Sequence, residues 1–208
     1  MGQATGEPFP PSPVGVAAFD FDGTLIAGDS FLPFLIRLVG RRAMGRAFVV
    51  AGPELLAAFA RGSRDATKAA VLARLLTGYP HQRFVDLGQA YAGQLVRQIR
   101  PAMVERVAWH RERGHRLVIV SASLDVYLAP VGRLMGFDRV MATQLEVGDD
   151  GRLTGRIQGV NVRRAEKSAR LGQWMSENLA GQAHELWAYG DSVGDRELLA
   201  MAHHPVRV

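Results

Sequence analysis

The sequence predicts an α/β protein: a Rossmann-like, doubly wound parallel sheet with an inserted block of α-helices. Three observations lead to this prediction. The apolar run from Val14 to Phe19 ends in an aspartate and an Asp-Gly turn, as a buried parallel strand does when it delivers a polar residue at its carboxyl end. From Ser30 to about Arg100 the apolar residues follow helical spacing instead. After Pro101 strands and helices alternate, which favours a parallel sheet with helices on both faces.

Glycine and proline punctuate the helical block and divide it into separate helices. We expect these helices at 30–39, 43–51, 53–61, 64–77 and 81–99. In the alternating part we expect helices at 101–113, 124–135, 163–179 and 195–202, strands at 116–121, 138–143, 185–190 and 205–208, and a hairpin that turns at Asp149-Asp150-Gly151. The chain is therefore interpreted as a flexible tail (1–13), a catalytic core (14–27 and 100–208) and a helical cap (28–99).

Composition narrows the classes of function. The 208 residues include no cysteine, which excludes a disulfide framework, a thiolate metal site and a thiol nucleophile. The net charge of +5 comes almost entirely from arginine spread along the chain, so nucleic-acid binding is disfavoured and a phosphate-bearing substrate would be attracted. The apolar stretch from Ala43 to Ala60 is interrupted by Arg46 and Glu54, and the N-terminal residues lack a signal core. We expect a soluble, cytoplasmic protein.

Polar side chains follow three of the predicted strands. Asp20 and Asp22 follow the first strand, Ser121 closes the second, and Asp191 and Asp195 follow the strand at 185–190. Because the carboxyl ends of parallel strands meet at one edge of a sheet, we expect these residues to converge on one crevice. Transfer of a phosphoryl group needs a nucleophile, a proton donor and positive charge, and paired carboxylates can supply the first two.

The motifs around these residues resemble those of the haloacid-dehalogenase-superfamily (HAD) phosphohydrolases. Ala-Ala-Phe-Asp-Phe-Asp-Gly-Thr-Leu surrounds Asp20 and Asp22, and Val-Ile-Val-Ser-Ala-Ser contains Ser121. Tyr-Gly-Asp-Ser-Val-Gly-Asp-Arg-Glu-Leu-Leu contains Asp191 and Asp195. A helical block between the first and second motifs is typical of subfamily IB, the branch that contains the phosphoserine phosphatases. The resemblance therefore implies the HAD fold and an HAD-type phosphatase.

This resemblance implies roles for the acidic residues. Asp20 would be the nucleophile that forms an aspartyl phosphate, and Asp22 would act first as general acid and then as general base. Mg²⁺ would be held by Asp20, by Asp191 and by the backbone carbonyl of Asp22, with Asp195 in a supporting position. Lys167, one of only two lysines in the chain, would bridge the nucleophile and the phosphate. The metal ion and this ammonium would offset the repulsion among the carboxylates.

The resemblance also implies how the phosphate is bound. The predicted contacts are the hydroxyl of Ser121 with nearby backbone N–H groups, among them those of Gly23 and Ala122, together with the ammonium of Lys167. Arg163 and Arg164 lie close to Lys167 in the sequence and could bind phosphate in its place. Other polar residues are interpreted as structural or surface residues, namely Asn161, His110, His115, His203 and His204.

The substrate is less well defined by the sequence. Asp29 lies where phosphoserine phosphatases carry an acidic residue that binds the substrate ammonium, which points to an amino-bearing substrate. The arginine-bearing cap segment that those enzymes use for the substrate carboxylate is not recognisable in the stretch from Arg64 to Leu76, and the cap is more apolar. Phosphoserine and a larger or lipid-linked phosphomonoester both stay open.

The sequence thus predicts a Mg²⁺-dependent phosphomonoester hydrolase that acts through an aspartyl phosphate on a small phosphorylated metabolite, with phosphoserine as one candidate. Three alternatives remain: a phosphotransferase with an alcohol acceptor, a lipid-phosphate phosphatase, and a non-catalytic module that binds a phosphate ligand. The sequence leaves the oligomeric state open.

Overall fold

A parallel sheet of five strands forms the centre of the protein. The computed structural model describes residues 13–50 and 64–208. Its strands, in chain order, are β1 (Val14–Phe19), β2 (Arg116–Leu124), β3 (Arg139–Thr143), β4 (Leu145–Val147), β5 (Leu153–Ile157), β6 (His184–Gly190) and β7 (His204–Arg207). The sheet has the order β3-β2-β1-β6-β7 with every pair parallel, and β4 and β5 form a separate antiparallel hairpin.

The described helices all lie in the segments of chain that connect the strands of this sheet. Between β1 and β2 are α1 (Phe31–Val39), α2 (Arg41–Val50), α3 (Arg64–Leu76), α4 (His81–Val96) and α5 (Pro101–Glu112). The later connections contain α6 (Asp125–Met135), α7 (Ala165–Asn178), a 3₁₀ turn (Val193–Asp195) and α8 (Arg196–Ala200). We call α1 to α4 the helical insertion. The alternation of strand and helix around a parallel sheet confirms the predicted fold class.

The predicted elements lie within a few residues of the observed ones, with two informative differences. β2 continues to Leu124, and its register with β3 shifts after Val120, so the segment from Ser121 to Ser123 forms an irregular end of the strand. The helix predicted at 81–99 ends at Val96, because Ile99 pairs with Ile26. The predicted helix at 53–61 and nearly all of the predicted tail lie outside the described residues.

The central strand β1 carries apolar residues to both faces of the sheet. Ala17 and Phe19 belong to one buried apolar cluster, and Val16 and Ala18 belong to the other. Strands covered on both faces read as continuous apolar runs, which is why β1 shows no alternation. Phe19 stacks on Tyr189 of β6 with 4.4 Å between the ring centroids and 5° between the ring planes.

The helical insertion shares its core with one face of the sheet. Phe34 of α1, Leu72 of α3 and Tyr91 of α4 are buried in the same cluster as Phe19. Phe34 lies against the rings of both Tyr91 and Tyr127. Ser30, which precedes α1, and Lys68 of α3 both contact the segment at the carboxyl end of β2. Within the described part of the chain, no helix combines the length and the apolar character needed to cross a bilayer.

Candidate active site

Asp20 and Lys167 form the buried centre of the site. Asp20 follows β1 directly, and its backbone N–H donates to the carbonyl of Tyr189 at 2.9 Å, which continues the pairing of β1 with β6. Lys167 lies in the first turn of α7, and its side chain is 3 % exposed. Its Nζ is 2.6 Å from Asp20 Oδ1 and 2.5 Å from Asp195 Oδ1. The structure therefore brings the predicted lysine and the predicted nucleophile into direct contact.

Asp195 is held by hydrogen bonds at both of its oxygens. Its Oδ1 accepts from Lys167, and its Oδ2 accepts from the backbone N–H of Ser192 at 3.0 Å and from the Ser192 hydroxyl at 2.7 Å. Ser192 Oγ also accepts from the N–H of Gly194, which completes a capping box at this 3₁₀ turn. The carboxylate of Asp195 is fixed in place as the partner of the lysine.

Asp191 lies at the exposed end of β6, where it approaches the loop that follows β1. The hydroxyl of Thr24 is 3.4 Å from Asp191 Oδ1. Gly23 has a φ of 77°, and a Cβ added to it would lie 2.3 Å from Asp191 Oδ2. Only glycine permits both this backbone conformation and this close approach.

The backbone amide of Gly23 has a partner within its own loop. This N–H, which is predicted to contact the phosphate, donates to the carbonyl of Gly28 at 3.2 Å. The loop that follows β1 folds back so that Gly28 lies opposite Gly23, and the carbonyl of Gly28 accepts this hydrogen bond. The glycine therefore contributes through the space it leaves beside Asp191.

The structure brings three carboxylates together in an arrangement that could hold a metal ion. Asp20, Asp191 and Asp195 each offer one oxygen, and these three oxygens lie within 4.8 Å of one another. A site made of carboxylate oxygens suits a hard divalent cation such as Mg²⁺. Three carboxylates beside the single ammonium of Lys167 leave two negative charges, which is the charge that one divalent cation would balance.

The pKa values in this cluster follow from burial and from the shared lysine. Burial alone would lower the pKa of Lys167, but the carboxylates of Asp20 and Asp195 raise it above its usual value. Burial raises the pKa of Asp20 to about 6, and Lys167 offsets this only in part. For Asp195, burial acts in the same direction, but Lys167 and Ser192 bring its pKa below the usual range. Without a metal ion, Asp20 therefore ionises at a higher pH than Asp195.

The carboxyl of Asp22 is bound by Ser30 and Ser123 and is not one of the three clustered carboxylates. Its Oδ1 accepts from the backbone N–H of Ser30 at 2.9 Å, and its Oδ2 accepts from the hydroxyl of Ser123. Burial raises the pKa of Asp22, while the hydrogen bonds from Ser123 and Ser30 lower it, and the net shift is upward. A carboxyl with a raised pKa keeps its proton more readily, as a general acid must.

The segment from Ser121 to Ser123 lines the site at the end of β2. Ser121 is buried, and its Oγ accepts from the backbone N–H of Ser123 at 3.2 Å. The carbonyl of Ala122 points the other way and accepts from Lys68 of α3 at 2.5 Å. Ser123, which the sequence analysis did not single out, thus contacts both Ser121 and Asp22. Its position two residues after Ser121 in a strand was the available signal, since alternate strand residues share a face.

Asp29 lies at the start of α1 and is exposed. Its Oδ2 accepts from the backbone N–H of Leu32 at 2.9 Å, so part of its role is to satisfy the first turn of this helix.

Arg163, the neighbouring cation considered for the phosphate, has a guanidinium nitrogen 3.7 Å from Asp65 Oδ2. Lys167 is the cation that reaches Asp20.

The sequence analysis also missed Lys68, which contacts Asn161 near the site. Asn161, interpreted as structural or surface, is 9 % exposed and binds both Asp65 and Lys68 of α3. Lys68 is the second of the two lysines, and that rarity was the signal that could have drawn attention to it. Both lysines of this chain lie at the site.

The family of the chain follows from a comparison with known proteins. A family model described as haloacid dehalogenase-like hydrolase matches residues 17–200. The chain belongs to the haloacid dehalogenase-like hydrolase family. This match covers both aspartate motifs and the intervening helices, so it confirms the resemblance inferred from the motifs.

Two curated proteins that are similar to this chain carry different names. The chain is 36 % identical over 188 residues to Protein CicA of Caulobacter vibrioides, which covers 90 % of this chain and 82 % of CicA. It is 28 % identical over 204 residues to a histidinol-phosphatase of Neisseria meningitidis, which covers 93 % of this chain and 89 % of that protein. The predicted class, a hydrolase of phosphoesters, is confirmed by the family together with the phosphatase named among these relatives.

Solved structures share the fold. A protein of unknown function from Bordetella pertussis Tohama I has a TM-score of 0.77 at 26 % identity, covering 94 % of this chain and 90 % of that one. A phosphoserine phosphatase solved as an analogue of its phospho-aspartyl intermediate has a TM-score of 0.60 at 20 % identity, covering 92 % of this chain and 84 % of that one. The second likeness confirms the phosphoserine phosphatase-like HAD fold.

Proposed function

We propose that this protein is a Mg²⁺-dependent phosphomonoesterase that transfers the phosphoryl group to Asp20 and then hydrolyses the aspartyl phosphate. The observation that carries the proposal is the buried contact of Lys167 with Asp20, next to two further carboxylates that leave room for a divalent cation. Two-step transfer through a side-chain carboxylate divides one difficult displacement into two easier ones.

Mg²⁺ would be held by the carboxylates whose oxygens are still available. Both oxygens of Asp195 already accept hydrogen bonds, so Asp20 and Asp191 are the better candidates for direct ligands, with Asp195 in support. The family resemblance adds the backbone carbonyl of Asp22. When bound, the ion would neutralise negative charge on the phosphate and on the carboxylates around it.

Lys167 would orient the nucleophile and stabilise the transferred phosphoryl group. Its ammonium fixes one oxygen of Asp20, which limits rotation of the carboxylate and holds it in position for in-line attack. The raised pKa of Lys167 keeps this side chain positively charged at neutral pH, so it can also attract the phosphate oxygens.

Asp22 would protonate the leaving oxygen and then activate water. The hydrogen bonds from Ser30 and Ser123 hold its carboxyl near the end of β2, two residues beyond the nucleophile. Its raised pKa favours the protonated form that the first step needs. After that step Asp22 is ionised, and it could then accept a proton from the attacking water.

The substrate would be a small phosphorylated metabolite that bears an amino group. Asp29 supports this proposal because it is an exposed carboxylate beside Ser30, whose backbone binds the proposed general acid. Phosphoserine and histidinol phosphate both contain a phosphomonoester and an ammonium group, and relatives of this chain are named for each. A preference for amino-bearing esters would therefore distinguish this function from hydrolysis of lipid phosphates.

Phosphate release with purified protein tests the proposed function. An aryl phosphate, phosphoserine and histidinol phosphate would be compared with Mg²⁺ and with a chelator, using wild type, Asp20→Asn and the exposed hairpin control Asp149→Asn. We expect Mg²⁺-dependent release that falls by at least about 1,000-fold in Asp20→Asn, about 4 kcal/mol of barrier. Normal turnover in that variant would remove Asp20 from its role. Added alcohol acceptors would reveal a phosphotransferase by formation of a new phosphoester.

A further inference from the structure

Helix α3 contacts the core through two charged side chains that are one helical turn apart. Asn161 Nδ2 donates to Asp65 Oδ1 at 2.6 Å, and Lys68 Nζ donates to Asn161 Oδ1 at 2.8 Å. Residues three positions apart lie on the same face of a helix, so both can reach a single amide group. The buried amide of Asn161 is therefore held at both ends by the helical insertion.

Lys68 also binds the backbone at the end of β2. Its Nζ donates to the carbonyl of Ala122 at 2.5 Å. The hydroxyl of Thr143 lies 2.9 Å from the same carbonyl and 2.8 Å from Asn161 Oδ1, and it accepts from the N–H of Val162 at 3.3 Å. A hydroxyl has one proton and can donate to only one of these oxygens at a time, whereas the ammonium can serve both at once.

The contact with Ala122 determines which way the next N–H points. In a trans peptide the carbonyl of one residue and the N–H of the next point in opposite directions. Because Lys68 holds the carbonyl of Ala122 on the side of α3, the N–H of Ser123 points to the opposite side, where it donates to Ser121 Oγ. The orientation of the segment from Ser121 to Ser123 thus depends on a side chain from the helical insertion.

The surroundings of Lys68 suit an ammonium group better than a guanidinium group. Its ammonium lies 5.3 Å from the centroid of the Phe31 ring. Burial lowers the pKa of Lys68 to about 8, although the carboxylates of Asp65, Asp22 and Asp29 act in the opposite direction. An ammonium on a flexible stem can direct separate protons to two converging oxygens, whereas the planar guanidinium of arginine has a fixed fork of donors. Lysine at this position is notable in a chain that has only two lysines and otherwise uses arginine.

We propose that Lys68 is a positioning residue that couples docking of α3 to the orientation of the phosphate-binding segment Ser121–Ser123. This inference rests on the proposed function, because that segment is proposed to receive the phosphate. When α3 is docked, the carbonyl of Ala122 is held and the Ser121–Ser123 segment is ordered. By the reciprocity of coupled equilibria, phosphate bound to this segment also favours the docked position of α3.

Two measurements on the complete chain test this coupling. Wild type, Lys68→Met, Lys68→Arg and Arg74→Met would be compared, with Arg74 as an exposed cation on the same helix. The first measurement is the kinetics of aryl phosphate hydrolysis together with the affinity for inorganic phosphate in the presence of Mg²⁺. The second is hydrogen exchange of residues 64–76 and 116–124 with and without inorganic phosphate. Thermal melting would verify that each variant is folded.

In Lys68→Met we expect kcat/KM and phosphate affinity each to fall by about 10- to 100-fold, with Arg74→Met unchanged, because the segment that binds the phosphate loses its orientation. Lys68→Arg should recover only part of this loss. In wild type, phosphate should slow exchange in both segments, and in Lys68→Met it should no longer slow exchange in 64–76.

Two results would overturn the inference. One is a folded Lys68→Met variant with wild-type phosphate affinity, even if its KM for larger esters rises, since that pattern means that Lys68 contacts the leaving group. The other is phosphate protection of 64–76 that persists without the lysine. Failure of the proposed function is distinguishable, because it would appear as lack of turnover in wild type while the exchange measurement could still be made.

Discussion

Replacement of Lys167 by methionine removes the ammonium from the buried centre of the site while keeping most of the side-chain volume. The two ion pairs at 2.6 and 2.5 Å are each attractive by about 6 kcal/mol at an effective dielectric of 20. The cost of removing the charges from water offsets much of this attraction. Breaking a buried pair from one side typically costs 3–5 kcal/mol, because the remaining charge has no partner.

We therefore expect Lys167→Met to lower the free energy of unfolding by about 3–5 kcal/mol at pH 8 without metal. With a urea m-value of about 2 kcal/mol per M, the midpoint of urea unfolding should fall by about 2 M. Circular dichroism during urea titration measures this midpoint. Arg74→Met is the control, because it removes an exposed cation from the chain without affecting the site.

The loss of stability should also depend on pH. Without the lysine, the pKa of Asp20 should rise further above that of the unfolded chain, and the pKa of Asp195 should rise from its lowered value because burial is then opposed only by Ser192. A carboxyl whose pKa is raised in the folded state destabilises the protein as the pH rises through that pKa, so the deficit should be smaller at pH 5 than at pH 8. Adding Asp195→Asn to the variant should recover part of the loss at pH 8. A midpoint within about 0.3 M of wild type, or a deficit equal at both pH values, would refute this account.

Three further predictions concern the metal and the proton donor. Gly23→Ala should weaken Mg²⁺ binding by about 10-fold or more, because the new Cβ would displace the carboxylate of Asp191 and because residue 23 has a positive φ that alanine rarely adopts. Calorimetry measures the affinity, and an unchanged value would contradict the clash. The affinity of wild type for Mg²⁺ should fall about tenfold per pH unit below about pH 6, where Asp20 binds a proton, and a flat profile would show that Asp20 is not a ligand. Ser123→Ala should raise the pKa of Asp22 and shift the alkaline limb of activity to higher pH, whereas an unshifted limb would exclude Asp22 as the general acid.

The sheet and the acidic residues could be predicted because their information is local. Each of Asp20 and Asp191 follows an apolar strand within two residues, and parallel strands bring their carboxyl ends together whatever the intervening sequence. The contact of Lys167 with Asp20 was implied by the family resemblance. No feature of the residues around Lys167 alone distinguishes it from a surface lysine at a helix start.

The contacts of the helical insertion could not be predicted because they depend on the docking of helices whose register is not encoded locally. Asp65 and Lys68 reach Asn161 only after α3 packs on the core, and Asn161 lies more than 90 residues away from both in the sequence. Gly23 shows a different limit. Its place in an Asp-Gly turn was predicted from the sequence, but the nearby carboxylate that forbids a side chain comes from the other end of the chain.

The stacked rings of Phe19 and Tyr189 have a consequence for how this site can evolve. Each ring immediately precedes the segment that carries a carboxylate, Asp20 after one and Asp191 after the other. Backbone pairing of β1 with β6 sets the spacing of these two strand ends, and the two stacked rings support it from behind within the buried apolar cluster. A smaller residue at either ring position would leave a cavity behind the strand ends and let them tilt, and so alter ion selectivity without touching a ligand. Substitutions at positions 19 and 189 should therefore be tolerated in compensating pairs.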